Sequence, residues 1–390
     1  MFTSSFIRRG VSLTKRKFVF EEVDNRPAEI RKLSETIAPT YSQLPNNHAV
    51  TWLSLLLVMI VFMVVVGGMT RLTDSGLSIV EWKPISGILL PLTSEQWQLE
   101  FTKYQGIPEF LLVNSDMTIE EFKYIYFWEW GHRQLGRAIG LAWFLGFAWL
   151  GLKRRIPKGW KLKFFSIGIL IGLQGFIGWW MVYSGLLPGM TDVASYRLAV
   201  HLGMAFCLAG LVLWFILSLR LNFEAAMISR RNRDDKLYFW MKIYLIALFI
   251  QIILGALVAG IDAGTAYTDW PWMAGHFFPS DYWNFDGAFA NVFENPANVQ
   301  FNHRISAYAL LVIGVLAFIY SRKSPIRFLK KCHTALLFLL SAQVLIGIVT
   351  VIHGAPYQIA IIHQLMAMIL WLSVIWTCFE TAFPRRQALM

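Results

Sequence analysis

Apolar residues in this chain come in long uninterrupted runs, and the polar residues gather in the short connections between them. From Ala49 to Thr70 no charge occurs before Arg71, which meets the roughly 20 residues an α-helix needs to cross a bilayer. Similar runs cover Arg137 to Leu152, extended back through Trp128 and Trp130, then Phe164 to Leu187, Leu198 to Leu219 and Ile243 to Ile261. Three more follow at Ile305 to Tyr320, Thr334 to Ile352 and Ile359 to Phe379. Inside hydrocarbon every backbone polar group must be bonded within the chain, and these lengths suit helices rather than barrel strands. The pattern predicts an all-α membrane protein with eight transmembrane helices.

The connections alternate in sign. Lys and Arg cluster in the N-terminal arm (Arg8, Arg9, Lys15, Arg16, Lys17, Arg31, Lys32). They recur after the second run (Lys153 to Lys163), the fourth (Arg230, Arg231, Arg233, Lys236), the sixth (Arg322 to Lys331) and the eighth (Arg385, Arg386). The intervening connections are acidic: Glu95, Glu100, Glu109, Asp116, Glu120 and Glu121 in one, Asp262, Asp269, Asp281, Asp286 and Glu294 in another. This is the positive-inside distribution, and with an even number of spans it puts both termini on the basic side. The net charge of +11 is thereby explained by membrane topology, and a nucleic-acid partner is excluded. Composition agrees: 56% of residues are hydrophobic and 15% charged, against roughly 25% charged in soluble domains.

The first twenty residues carry Arg, Lys, Ser and Thr with no acid until Glu21, the composition of a mitochondrial presequence. An ordinary basic arm is the plainer alternative. The three cysteines, Cys207, Cys332 and Cys378, have no paired spacing and suggest neither a metal cluster nor a disulfide framework.

The chain repeats itself. Leu254 to Trp270 echoes Val65 to Trp82, and Gly131-His132-Arg133 matches Asn302-His303-Arg304. Gln174 to Gly178 matches Gln343 to Gly347, and Tyr196 to His201 matches Tyr357 to His363 with one residue inserted. The loop charges are in phase, so two four-helix halves run in the same direction about a pseudo-two-fold axis along the membrane normal. The organisation expected is a presequence and basic arm over 1–48, an N-terminal half over 49–221, a linker over 222–237 and a C-terminal half over 238–390. Gly67, Gly68, Gly168 and Gly172 read as packing residues that let helices approach closely.

Four of the eight histidines, His132, His201, His303 and His363, occupy repeat-related positions near the acidic-side ends of their spans. Ionisable residues within spans are costly and usually functional, although a single one is often only an interhelical hydrogen bonder. Two imidazoles facing each other within a helical bundle suit the axial positions of haem iron. Zinc would ask for further ligands, and only the first half has a carboxylate nearby. His353 is a weaker rival ligand, since Ser184 stands at its repeat position; His48, His276 and His333 lie elsewhere. Glu129 precedes His132 by three residues, on the same helical face, and its counterpart is Gln300. That contrast suggests one reactive site and one holding site.

These segments resemble the haem A synthase family in its mitochondrial form. The resemblance covers nearly everything from the first span to the last. It rests on GGMTRLTDSGLS (Gly67 to Ser78), WEWGHRQLGR (Trp128 to Arg137), QGFIGWWMVYSGL (Gln174 to Leu187), YRLAVHLG (Tyr196 to Gly203), GALVAGIDAG (Gly255 to Gly264), NVFENP…VQFNHRI (Asn291 to Ile305) and His363-Gln364. It implies a duplicated bundle that oxidises the C8 methyl of haem O to a formyl group, giving haem A for cytochrome c oxidase. On it, His303 and His363 ligate a resident haem b, His132 and His201 hold the substrate haem, and Glu129 is the catalytic carboxylate. Arg71, Arg133, Arg137, Arg197 and Arg304, at the acidic-side ends of spans, are candidate partners of haem propionates, whose carboxylates match a guanidinium. The resemblance also implies the mitochondrial inner membrane, with both termini in the matrix. Haem O and lipid are the implied partners, with haem O synthase, a ferredoxin-type electron partner and a second copy of the chain as further candidates. Some bacterial members carry a cysteine pair in the first outer loop, and this chain has none there. The segment Trp270 to Phe278 fits the family poorly. A bis-histidine cytochrome b that carries electrons and a proton-coupled transporter are the competing readings.

Overall fold

A computed structural model of the chain describes residues 47–83, 86–221 and 223–384. The expected presequence, most of the basic arm, and Arg385 and Arg386 fall outside the described residues. Among the described residues, eight helices are long and apolar enough to cross a membrane. They are α1 (Asn47–Leu72), α2 (Ile119–Leu152), α3 (Lys161–Gly185), α4 (Ser195–Leu219), α5 (Asp235–Gly260), α6 (Pro296–Ser321), α7 (Arg327–Ile352) and α8 (Tyr357–Ala382). Most start several residues before the apolar runs do, because hydropathy marks only the lipid-facing centre while polar caps set the ends. Thr118 and Glu121 form a reciprocal capping box at the start of α2, Asp234 caps α5, and Asn295 caps α6 with Pro296 in its first turn. The expected linker holds the short helix Phe223–Arg231 and the first turn of α5.

Helix faces divide cleanly. On α1, Leu55, Val58 and Phe62 are exposed while Leu53, Leu56, Ile60 and Val64 are buried, the i, i+3, i+4 spacing of two opposed stripes. Packing follows a simple order. In the first four spans α1 packs on α2, α2 on α3, α3 on α4 and α4 back on α1. In the last four, α5 packs on α6, α6 on α7, α7 on α8 and α8 back on α5. Two four-helix rings thus close in the same order, and they meet through α4 with α5, α8 with α1, and α4 with α8.

At 34 residues, α2 is about 50 Å long and outruns the roughly 30 Å hydrocarbon layer. Its outer end packs against Ser94–Gln105, and with Pro108–Leu112 they build a separate apolar cluster of Phe101, Tyr104, Phe110, Phe122 and Tyr126. This cluster lies beyond the hydrocarbon, where burying each such side chain is worth about 1.5–3 kcal/mol. Because of this extension His132 lies several turns inside α2, whereas His201, His303 and His363 each lie within about two turns of a helix start.

Candidate functional site

In the second ring, α6 carries His303 and α8 carries His363. Gly354 (φ 71°) and Ala355 (φ 54°) turn the chain sharply between α7 and α8, and Pro356 opens α8, which sets His363 two turns inside. Both imidazoles border a largely apolar cavity of about 280 Å³, which also touches Gln251, Gln343, Arg71 and Arg304. Each imidazole rests against a glycine of the preceding helix. A Cβ on Gly255 would lie 3.0 Å from His303 Cε1, and one on Gly347 would lie 2.9 Å from His363 Cε1. One turn earlier a glutamine reaches across. Gln251 Nε2 donates to the His303 carbonyl at 3.0 Å, and Gln343 Nε2 to the His363 carbonyl at 3.0 Å. Each amide nitrogen also lies 3.1–3.3 Å from the imidazole nitrogens.

The first ring repeats this plan with one change. His132 on α2 and His201 on α4 have ring centroids 6.5 Å apart at an interplanar angle of 69°. A Cβ on Gly178 would lie 2.9 Å from His201 Cε1, and one on Gly67 would lie 3.0 Å from His132 Nε2. Gln174 Nε2 donates to the His201 carbonyl at 2.9 Å and lies 3.3 Å from His201 Nδ1. The matching place on α1, one turn before Gly67, is Met63.

Glu129 is buried and fully engaged. Its Oε2 accepts from Ser78 Oγ and from the Ile79 amide, both at 2.7 Å, and its Oε1 accepts from Arg133 Nε at 3.1 Å and Nη2 at 2.6 Å. Arg133 also donates to the Ile79 and Glu81 carbonyls. The second ring holds an amide version of the same anchor. Gln300 Nε2 donates to the Ala263 and Tyr267 carbonyls, and its Oε1 accepts from Arg304, which bonds the Tyr267, Asp269 and Trp272 carbonyls.

The remaining arginines are also held by protein groups. Arg71 pairs with Asp74 and Asp262 at 2.7 Å and with Asp192 at 3.7 Å. Burial pushes the Asp74 and Asp192 carboxyls up, and Arg71 draws them back. Arg137 donates to the Lys83 carbonyl. Arg197 donates to the Trp180 carbonyl and stacks 4.4 Å over its ring. Arg71 and Arg304 are the two of the five that border the second-ring cavity, and the Nε of each is buried with no hydrogen-bond partner.

His353 is exposed at the end of α7 and bonds the Val349 carbonyl. His276 lies in the outer segment, bridged to Met273. His48 meets Arg155, and His333 is buried against Leu329. Trp270 Nε1 donates to Tyr308 Oη, and Tyr308 lines the cavity, so the segment that fitted the family poorly closes over the second ring. In the sequence Gly67 reads as a helix-packing residue, Gln174 and Gln343 stand out only as repeat matches without a role, and Gln251 does not stand out. The signal was available, since glutamine and glycine stand four apart on three helices, each preceding a histidine helix.

Fold and site together define a polytopic, all-helical membrane protein with an imidazole pair inside each of two helical rings, the donor set of a membrane haem protein. The chain belongs to the family described as "Cytochrome oxidase assembly protein", whose model matches residues 50–375. It is similar to the protein named Heme A synthase of Roseobacter denitrificans, 47% identical over 335 residues that cover 85% of this chain and 88% of that one. The Heme A synthase of Dinoroseobacter shibae is 44% identical over 373 residues, covering 95% and 97%. That of Paracoccus denitrificans is 46% identical over 333 residues, covering 85% and 87%.

Proposed function

We infer that this chain is a haem A synthase, a membrane oxidoreductase that converts the C8 methyl of haem O to a formyl group by successive hydroxylations, in support of cytochrome c oxidase assembly. The observation that carries this reading is the pair of imidazoles in each ring, in a chain whose relatives bear that name. The donor set fits haem. With metal–imidazole bonds of about 2 Å, two rings across one iron have centroids about 6 Å apart, and those of His132 and His201 are 6.5 Å apart. The glycines leave space that a Cβ would fill. The buried, unpartnered Nε atoms of Arg71 and Arg304 suit the carboxylates of a propionate.

On this reading His303 and His363 hold haem b, and His132 and His201 hold the substrate. Bound haem supplies the one-electron chemistry that the side chains lack. The protein's own part is to orient the substrate edge and accept protons, while water or dioxygen supplies the oxygen and the electrons pass to an external acceptor. Oxidising a methyl carbon releases protons, and on this reading Glu129, three residues before the substrate ligand, takes one as its ion pair with Arg133 opens. Gln300, its counterpart, cannot. The alternating loop charges and the basic N-terminal arm support the mitochondrial inner membrane, with basic loops in the matrix. Protease protection of a tag placed in the 153–163 loop tests that orientation.

Pigment extraction from the purified protein tests the function. Haem O or haem A beside haem B is the expected result. Haem B alone would leave an electron-carrying cytochrome b, and a preparation without a Soret band would leave a transporter.

A further inference from the structure

Three of the four candidate ligand histidines sit in the same clamp. A glutamine of the preceding helix donates to the histidine's own carbonyl at 2.9–3.0 Å. That carbonyl belongs to a helix and keeps a second lone pair for the amide, so the bond ties the histidine's turn to the neighbouring helix without breaking its ladder. The amide nitrogen also stays within 3.3 Å of an imidazole nitrogen. One turn further on, a glycine lies against the ring's Cε1. Ser306, three residues after His303, in turn bonds Gln251 Oε1. In the first ring and in the second, the clamp leaves the imidazole little freedom to turn away.

His132 is the exception. Gly67 receives its ring, but the position one turn back on α1 is Met63, whose Cε lies 3.5 Å from where a Cβ on Gly136 would sit. Met63 is therefore beside α2 one turn beyond His132, where the clamp would be, and its thioether has no hydrogen to donate. Among the described residues, no side chain forms a hydrogen bond with the His132 ring.

We propose that Gln174, Gln251 and Gln343 are positioning residues that fix three imidazoles as haem ligands, and that His132, left without such a clamp, is the ligand that swings away to admit and discharge haem at the first ring. The proposal rests on the functional reading above. A resident group calls for two fixed ligands, and the second ring has two clamps. A substrate that must leave as product calls for one ligand that releases, and the first ring has one clamp. The side of that release is then assigned to α1 and α2, while His201 on α4 keeps hold.

The experiment uses the full-length purified protein loaded with haem O, apomyoglobin as acceptor, and chromatography to separate haem O from haem B. A hydrogen bond of ordinary net strength is worth about 3- to 10-fold in a rate it opposes. Met63→Gln is expected to slow haem O release by about that factor, whereas Met63→Leu, which keeps the bulk without the amide, leaves it unchanged. Gln174→Leu is expected to speed haem O release, and Gln343→Leu to speed haem B release and shift the low-spin electron paramagnetic resonance g values. If Met63→Gln does not fold, the two glutamine variants decide the matter alone. Equal haem O release from Met63→Gln and Met63→Leu, or unchanged rates and g values in the glutamine variants, would overturn the proposal and leave the two-haem reading intact. A wild-type protein that holds haem B but takes no haem O would overturn both.

Discussion

Gly347→Ala probes the second-ring site with a single methyl group. The new Cβ would lie 2.9 Å from His363 Cε1, several tenths of an ångström inside ordinary contact, and its neighbour is a ring clamped by Gln343 rather than a flexible chain end. Replacing glycine by alanine within a helix favours the helix by about 1 kcal/mol, and overpacking a tight contact costs about 1–3 kcal/mol. The net folding cost is then at most about 2 kcal/mol, and the group that must move is the imidazole. The variant is therefore expected to melt within a few degrees of wild type while losing most of its haem B. Gly140→Ala is the control, because a Cβ there meets nothing within 4 Å. The assay is a pyridine haemochrome measurement of haem B per protein alongside a thermal melt in detergent. A Gly347→Ala protein with a full complement of haem B and an unshifted low-spin spectrum would refute the argument that the glycine makes room for a ligand.

Glu129→Gln is expected to retain haem B and to accumulate haem O or a hydroxylated intermediate in cell extracts; haem A at near-wild-type levels would reduce Glu129 to an anchor for Ser78 and Ile79. His303→Ala and His363→Ala should each lose haem B, while His353→Ala, altering an exposed helix end, should keep it; the reduced b-band intensity reports all three. Burial, reinforced by Asp192, Asp74 and Glu129, pushes Glu109 up to about 8, so the folded protein binds a proton that the unfolded chain has released. Stability should then fall as pH rises from about 4.5 to about 8 and level off above that, and Glu109→Gln should flatten this part of the profile in thermal melts. A slope unchanged in that variant would assign the effect to another group.

The spans were legible because lipid imposes a length and a polarity that no other solvent does. Their ends were less so. Thr118 begins α2 well before its apolar centre, because the outer end of that helix is stabilised by Phe101, Tyr104 and Phe122 outside the hydrocarbon. The four histidines stood out by repetition. Their supports did not, since a glutamine within a span reads as one more polar residue until the rotation of its helix is known. Gly67 read as packing for the same reason: close approach is a property of two helices, and the sequence displays one at a time. For Arg133 and Arg304 the charge was visible but not the outer segments folding back to occupy their donors. The expected linker over 222–237 came from where the two halves of the repeat meet, which does not separate the first turn of α5 from a connection.

The two rings agree at four of their supporting positions. Gly67 and Gly255, Gly178 and Gly347, Gln174 and Gln343, and Arg133 and Arg304 form matched pairs with matched contacts. They disagree at Met63 against Gln251 and at Glu129 against Gln300, and both differences bear on His132. Neither reads as a gain in stability. Methionine forgoes a hydrogen bond that its counterpart makes, and a buried carboxylate must be paired with Arg133 where an amide would need no counter-charge. Two separate concessions on one imidazole, in a chain that otherwise repeats its scaffold, point to that imidazole as the place where the halves divided their work. The second ring has both clamps and an amide beside its ligand. On the reading proposed above, the first ring, with a carboxylate three residues from His132 and a single clamp, is the one that reacts and releases.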